Sequence, residues 1–455
     1  MAELRSFRGF RYTPAAGPTG TLAAPPYDVI GEEQRQRLAS RNPRNIVHLI
    51  LPQGGEDRYR LAAERMETWM REGVLAQERD PSLYLYRQTF KGPDGRPYVR
   101  TGFLGLVRLE ATGGSVRHHE LTLAKPLEDR LRLVRTTRAH FSPVFLLYSD
   151  PEGAALRALE ARATAERPPA RLATGTGLVR RMTELTPGAP IEFNDDEGVR
   201  HWVQPISDEA AIGEARRTLA GRPVVIADGH HRYSAALEYA ERMRRVFPTE
   251  DPDLAEGFML ACFVRSEDPG LLLLPIHRIV PNLPGDPPLD VEDLLARLSA
   301  RFEIQSLQVP VGAHSDSAAP MIRHDPSGRV AIGARFAGDL RLHVLLLRAG
   351  EGPFANHAVE EPLRGLDVAI LHNLILEPEF GIDEAVLKRG GRLIYEKDSA
   401  RAAAVAASGE ARAVFFLRPV LTSAVFDITA HGLRLPQKST YFTPKLASGL
   451  VLHRF

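Results

Sequence analysis

The sequence predicts a mixed α/β (α+β) fold in two parts. Three observations predict it. Segments with apolar residues at helical spacing alternate with short apolar or alternating runs of strand type. No unit repeats at a fixed period. The stretch PNLPGDPPLD, Pro281 to Asp290, is dense in proline and glycine and reads as a boundary, which gives parts 1–285 and 286–455. With 455 residues the chain exceeds one ordinary core, so two parts also suit its length.

Taken in order, Ile30–Ala39 reads as a helix, and IVHLIL, Ile46 to Leu51, reads as a buried strand. Tyr59 to Glu72 is helical. LYLYRQTF from Leu83 and TGFLGLVRLE from Thr101 flank the turn signal Pro93-Asp94-Gly95, so they predict a hairpin. In VRHHELTLAKPLEDRLRL, Pro126 divides a loop from a helix. FSPVFLLYSD is a strand. The helix after it opens with Asp150 as N-cap and Pro151 at its first position. DEAAIGEARRTLAG is a helix closed by Gly221. FMLACFVR and LLLLPIHRIV are strands. Past the boundary, VEDLLARLSARF, RVAIGARFA, LRLHVLLLRA, LDVAILHNLIL, GRLIYE and ARAVFFLRPV mix helix and strand patterns.

Apolar residues make up 44% and charged residues 25%, as in an ordinary globular protein. The 58 basic and 57 acidic residues give a net charge of +1, which argues against nucleic acid as the partner. One cysteine, Cys262, excludes an internal disulfide and a cysteine-based zinc site. No signal-like or membrane-spanning apolar window is found, so a cytoplasmic protein without membrane contact is expected.

The stretch VVIADGHHRYSAALEYA, Val224 to Ala240, concentrates chemistry at one strand-to-helix turn. The first N–H groups of a helix lack partners within it, and the helix dipole adds positive potential there, so such a turn suits an anion. Gly229 allows close backbone approach. Arg232 offers a planar fork for phosphate oxygens. Asp228 can hold Mg²⁺ or orient an imidazole. Each residue alone reads more simply as a cap or a core group. The Walker and dinucleotide-binding glycine motifs are absent.

ADGHHRYSAA resembles the helix-opening signature of the ParB/sulfiredoxin-like superfamily. That superfamily includes sulfiredoxins, CTP-using chromosome-partitioning proteins and ADP-dependent free serine kinases. The resemblance implies a phosphate grip at Asp228, Gly229, His230, His231 and Arg232, in a ParB/sulfiredoxin-like core elaborated by extra strands and helices, with a C-terminal α/β part. PPYDVI, RNPRNIVHLILP, HHELTLAKPLEDRLRLVRTTRAHFSPVF, LLPIHRIV and LPQKSTYFTPKLASGLVL resemble a bacterial and archaeal family, domain of unknown function 1015. That likeness spans nearly the whole chain and implies no activity.

A second constellation lies in RHHELTLAKPLEDRLRL. Phosphoryl transfer needs a base near the acceptor hydroxyl and cations on the transferred group. Glu120 is the candidate base, His119 a proton partner, and Lys125 and Arg130 candidate phosphate cations. Glu128, Arg132 and Arg135 read as helix-surface ion pairs. Tyr27 and Asp28 in PPYDVI line a pocket or simply pack. Asn45 reads as a turn and helix-capping residue, and His48 as core. Gln437, Lys438, Ser439, Thr440, Tyr441 and Lys445 either reach back to the first part's site or form an interdomain contact.

The leading expectation is a nucleotide- and Mg²⁺-dependent phosphotransferase acting on a small hydroxylated metabolite, like a free serine kinase. Asp228, His230, His119 and Glu120 would be catalytic. Gly229, His231, Arg232, Lys125 and Arg130 would bind the nucleotide, ADP or ATP first and CTP as a further option. Two alternatives stand beside it. One is a ParB-like, nucleotide-switched binding protein. The other is a metal-dependent hydrolase that draws ligands from Asp228, His230, His231, His118, His119 and Glu120.

Overall fold

The computed structural model describes residues 2–111, 113–120, 124–165, 189–247, 254–308, 328–350, 352–354 and 359–455. The architecture is mixed α/β. The chain divides into two compact units. The first comprises Met1–His118, Thr122–Leu272 and Pro444–Phe455; the second comprises His119–Leu121 and Leu273–Thr443. The proline-rich boundary at 285/286 thus differs from the observed division. The change of unit comes earlier, and Pro444–Phe455 belongs with the first unit.

The first unit is built on a nine-stranded mixed sheet. Its strands are β1 (Leu4–Arg5), β2 (Leu83–Lys91), β3 (Pro97–Arg108), β4 (Val116–His118), β5 (Val144–Tyr148), β6 (Ile191–Asn194), β7 (Arg200–Ile206), β8 (Val224–Asp228) and β9 (Phe258–Arg265). Their order is β4-β8-β5-β9-β3-β2-β7-β6, with β1 on β3. The pairs β8–β4 and β9–β5 run parallel, and the others antiparallel. The expected hairpin is β2–β3, in register from Tyr84↔Leu104 to Lys91↔Pro97. Its turn places Gly95 at φ +76°. β5 and most of β9 are buried residue after residue, which is why VFLLY and FMLACFV read as continuous apolar runs. Leu85, Phe103, Leu146, Ile226 and Phe263 share one core.

The longer helices of this unit among the described residues are α1 (Glu32–Arg41), α2 (Arg58–Arg71), α3 (Ala124–Thr137), α4 (Ala154–Ala165), α5 (Glu209–Leu219) and α6 (His230–Val246). Leu131 and Val134 of α3 pack on Ala235 and Tyr239 of α6, one helical turn apart on each face. α5 opens on Asp208, whose carboxylate accepts from the Ala211 amide at 2.9 Å.

Three expectations are corrected. IVHLIL is not a strand; Val47–Ile50 is a short helix, started by the Asn45 side chain accepting from the Val47 amide at 2.8 Å. A short apolar run fits a buried helix as well as a buried strand. Pro126 does not delay the helix. It is the third residue of α3, within the first turn, where its missing N–H costs nothing. Likewise α4 begins at Ala154, beyond Pro151, and Asp150 reaches in to accept from the Ala155 amide at 3.2 Å.

The second unit carries a six-stranded sheet of β10 (His277–Pro281), β11 (Phe302–Gln308), β12 (Ala331–Phe336), β13 (Arg341–Leu347), β14 (Ile394–Glu396) and β15 (Ala411–Phe416). The order is β11-β13-β12-β15-β10-β14, antiparallel at each pairing. Helix α7 (Ser399–Ser408), capped by Asp398, buries Ala402 in one core with Ile279, Leu342, Leu346 and Val414.

Candidate functional site

The turn after β8 is built as the sequence suggests. Strand register carries Asp228 to the sheet's end, next to Phe145 of β5. Gly229 then takes φ +94° and ψ 24°, a left-handed conformation that suits glycine, and α6 starts at His230. On the other side of β8, Ile226 pairs with His118, the last residue of β4. The His118 ring stands 5.8 Å from that of His230 and edge-on to Tyr233 at 5.3 Å. His230 and Arg232 are buried; His231 is half-buried.

Asp228 is the electrostatic centre of the turn. Its Oδ2 accepts from Arg232 at 2.7 Å and its Oδ1 from the Lys445 Nζ at 2.5 Å. Burial opposes the charged carboxylate, but Lys445 and Arg232 outweigh burial and hold Asp228 down at about 2. Arg232 also donates to the Pro143 carbonyl, while its Nε has no hydrogen-bond partner. It lines a small cavity of about 40 Å³ together with Tyr27, Arg130, His140 and Ser142. His140, also on this cavity, leaves Nε2 without a partner.

Lys445 is fixed by its backbone. Gln88 donates to the Lys445 carbonyl at 2.9 Å, Arg100 to the Pro444 carbonyl, and the Ala447 amide to the Tyr86 hydroxyl at 3.3 Å. Tyr86 is itself tied to His201 Nδ1 at 2.7 Å, and His201 Nε2 to Asp195 at 3.0 Å. Ser448 pairs with Ala24 in both directions. Of the two readings of the polar segment 437–445, Lys445 thus follows the first: it reaches the turn. The supporting group Arg100–Gln88 was not signalled, because its meaning lies in a pairing across β2 and β3 and in burial.

Arg130 borders the same cavity and is held there by partners of its own. It donates through Nε to Asp129 at 2.8 Å and through Nη1 to the Ile50 carbonyl at 2.7 Å, and it lies over the Tyr27 ring at 4.1 Å. Asp129 also accepts from Tyr59 at 2.7 Å and Arg58 at 3.1 Å. Arg132 pairs with Glu128 on the helix surface, as the sequence suggests. Lys125 belongs to α3, but its side chain lies outside the described residues.

The RHHE segment is divided between the units after His118. In the second unit, Glu120 Oε1 accepts from the Ser439 amide, the Thr440 amide and the Thr440 hydroxyl, each at 3.1 Å. His119 is fully buried, bonded through Nε2 to the Thr440 hydroxyl at 2.7 Å. Leu435 donates to the His119 carbonyl at 2.8 Å. Arg278 adds bonds to the Gln437 and Lys438 carbonyls. Together they form a clasp on residues 435–440.

Among the described residues, no group of three or more histidine, cysteine or acidic side chains gathers as a metal site. Asp228 has a cation on each oxygen. The residues present therefore do not fit a Mg²⁺ held by Asp228, because an ammonium already stands where the ion would bind. No helix among the described residues is long and apolar enough to cross a membrane.

A family model described as a protein of unknown function, DUF1015, matches residues 4–186 and 176–369. No curated protein matches the chain. Among solved structures, a conserved hypothetical protein from Pyrococcus furiosus is 14% identical, covering 75% of this chain and 91% of that one, at a TM-score of 0.33. A free serine kinase in complex with AMP is 12% identical, covering 74% and 86%, at 0.34. A C-terminally truncated SbnI from Staphylococcus aureus is 9% identical, covering 76% and 85%, at 0.32.

Proposed function

Since the chain belongs to the DUF1015 family, whose description names no activity, we propose its function from the turn itself: nucleotide-dependent phosphoryl transfer to a small hydroxylated metabolite, in a ParB/sulfiredoxin-like core. One observation carries this reading. A left-handed glycine delivers the start of a seventeen-residue helix beside a half-buried Asp228 flanked by two cations. The group Asp228, Arg232 and Lys445 has a net charge of +1, and the helix start adds its own positive potential. That suits an oxyanion. Free serine is the first acceptor to try, and ADP and ATP the first nucleotides.

On this reading Gly229, His231 and Arg232 contact phosphate, with Lys125 and Arg130 as further cations, and Asp228 and His230 orient the reacting groups. Glu120 and His119, which the sequence offers as base and proton partner, belong to the second unit, so their part in turnover is a separate proposal tested by its own variant. The test is titration calorimetry with ADP and ATP, followed by a transfer assay with serine. Arg232→Ala should abolish nucleotide binding. Glu120→Gln keeps an oxygen for the 439–440 clasp and should spare binding while stopping turnover. Full activity in both variants would overturn the assignment. The hydrolase alternative would need a transition metal to co-purify with untagged protein.

A further inference from the structure

The expectation of a metal at Asp228 conflicts with what stands there. Lys445 places its ammonium 2.5 Å from Oδ1. It is not a loose surface lysine. Its side chain is 15% exposed, and the backbone around it is held by Gln88, Arg100, Tyr86 and Ala24. A lysine side chain ordinarily keeps conformational freedom in solvent; here an anchored backbone and the Asp228 carboxylate together hold its ammonium at one place. Such fixing serves a charge that must stand at one place.

A second, independent observation points to a ligand at this turn. Arg232 is 8% exposed, and its Nε–H finds no acceptor although the side chain borders a cavity. A buried donor without a protein acceptor is costly and leaves its hydrogen for an oxygen of solvent or ligand in the cavity. His140, on the same cavity, contributes another nitrogen without a hydrogen-bond partner. Arg130 borders the same cavity, and no acidic side chain lines it among the described residues.

We propose that Lys445 supplies, from within the chain, the positive charge that a divalent cation supplies to phosphates at other sites, so that the diphosphate of a nucleotide binds at the Asp228–Arg232 turn without Mg²⁺. This rests on the phosphate-binding reading above. Asp228 positions both cations: it holds the Lys445 ammonium and the Arg232 guanidinium on one carboxylate, which leaves the group a net charge of +1 for an anion. Lysine serves as a point charge and arginine as a fork, a division of labour common in phosphate recognition.

The experiment is calorimetric titration of full-length protein with ADP, first in EDTA and then in excess Mg²⁺. Wild type should bind ADP in EDTA, with a dissociation constant that Mg²⁺ changes by less than about threefold. Lys445→Met keeps the stem and removes the charge; it should weaken binding in EDTA by about tenfold or more. Lys445→Arg should restore most of that loss. Thermal melts without ligand establish that each variant is folded; if Lys445→Met fails to fold, Lys445→Arg and the wild-type comparison with and without Mg²⁺ decide. ADP binding by wild type only when Mg²⁺ is present would overturn the proposal and leave the phosphate reading intact. Equal ADP affinity in EDTA for a folded Lys445→Met would do the same. No ADP binding under either condition would overturn the phosphate reading itself.

Discussion

Asp228 joins a lysine from residue 445 to an arginine four residues downstream, and both partners are largely buried with it. Removing its charge leaves two cations without their shared anion. Asp228→Asn should therefore destabilise the first unit by about 3 kcal/mol, read as a lowered urea midpoint. Because its folded pKa lies below that of the unfolded chain, the stabilisation is complete above about pH 4. It is lost as pH falls through about 2, and Asp228→Asn should remove that part of the acid transition. Glu120 makes a different prediction in the second unit. Glu120→Ala strands two amides and a hydroxyl, so hydrogen exchange at Ser439 and Thr440 should speed up, with a loss of about 1–3 kcal/mol.

At the scale of elements, the joint between β8 and α6 depends on one backbone conformation. A Cβ on Gly229 would meet the Arg232 guanidinium at 2.9 Å as well as adopt a left-handed conformation. Gly229→Ala should cost about 1–2 kcal/mol from the backbone alone and should also displace Arg232, so nucleotide affinity should fall with stability. This joint was legible in the sequence because an apolar run, a glycine and a helical period follow one another in a few residues. The hairpin β2–β3 and the buried runs β5 and β9 were legible for the same local reason. Val47–Ile50 was not, since its helix depends on Asn45 serving both its cap and the Thr21 and Ala23 carbonyls. Nor could sequence tell that His118 and His119 part company: period-2 alternation says that neighbours face apart, not which unit each joins. The role of Lys445 was readable only as polar density. Its partner lies 217 residues away.

At the scale of the molecule, the first unit contains histidines that the fold keeps neutral. His140 and His453 are buried with ring centroids 5.7 Å apart, on paired strand segments, beside Phe455. Burial lowers His453 to about 4 and lowers His140 well below the ordinary value. The unfolded chain thus takes up these protons first as pH falls. Stability is full above about pH 6.5 and declines toward pH 4, by about 3 kcal/mol from His453 alone. Melting temperature measured across this range should fall for wild type and fall less for His453→Gln. A flat profile would mean that neither histidine is held neutral.

The segment Pro444–Phe455 belongs to the first unit although about 170 residues of the second precede it. A ribosome adding about 5–20 residues per second would need tens of seconds at the slower rate to cross that interval. Throughout it, β2, β3 and β8 have been made while the lysine that Asp228 awaits has not. Nascent chains and products of premature termination before residue 444 would hold the DGHHR sequence yet lack the finished turn. Translation itself thereby withholds the Asp228–Lys445 pair until the second unit has been synthesised.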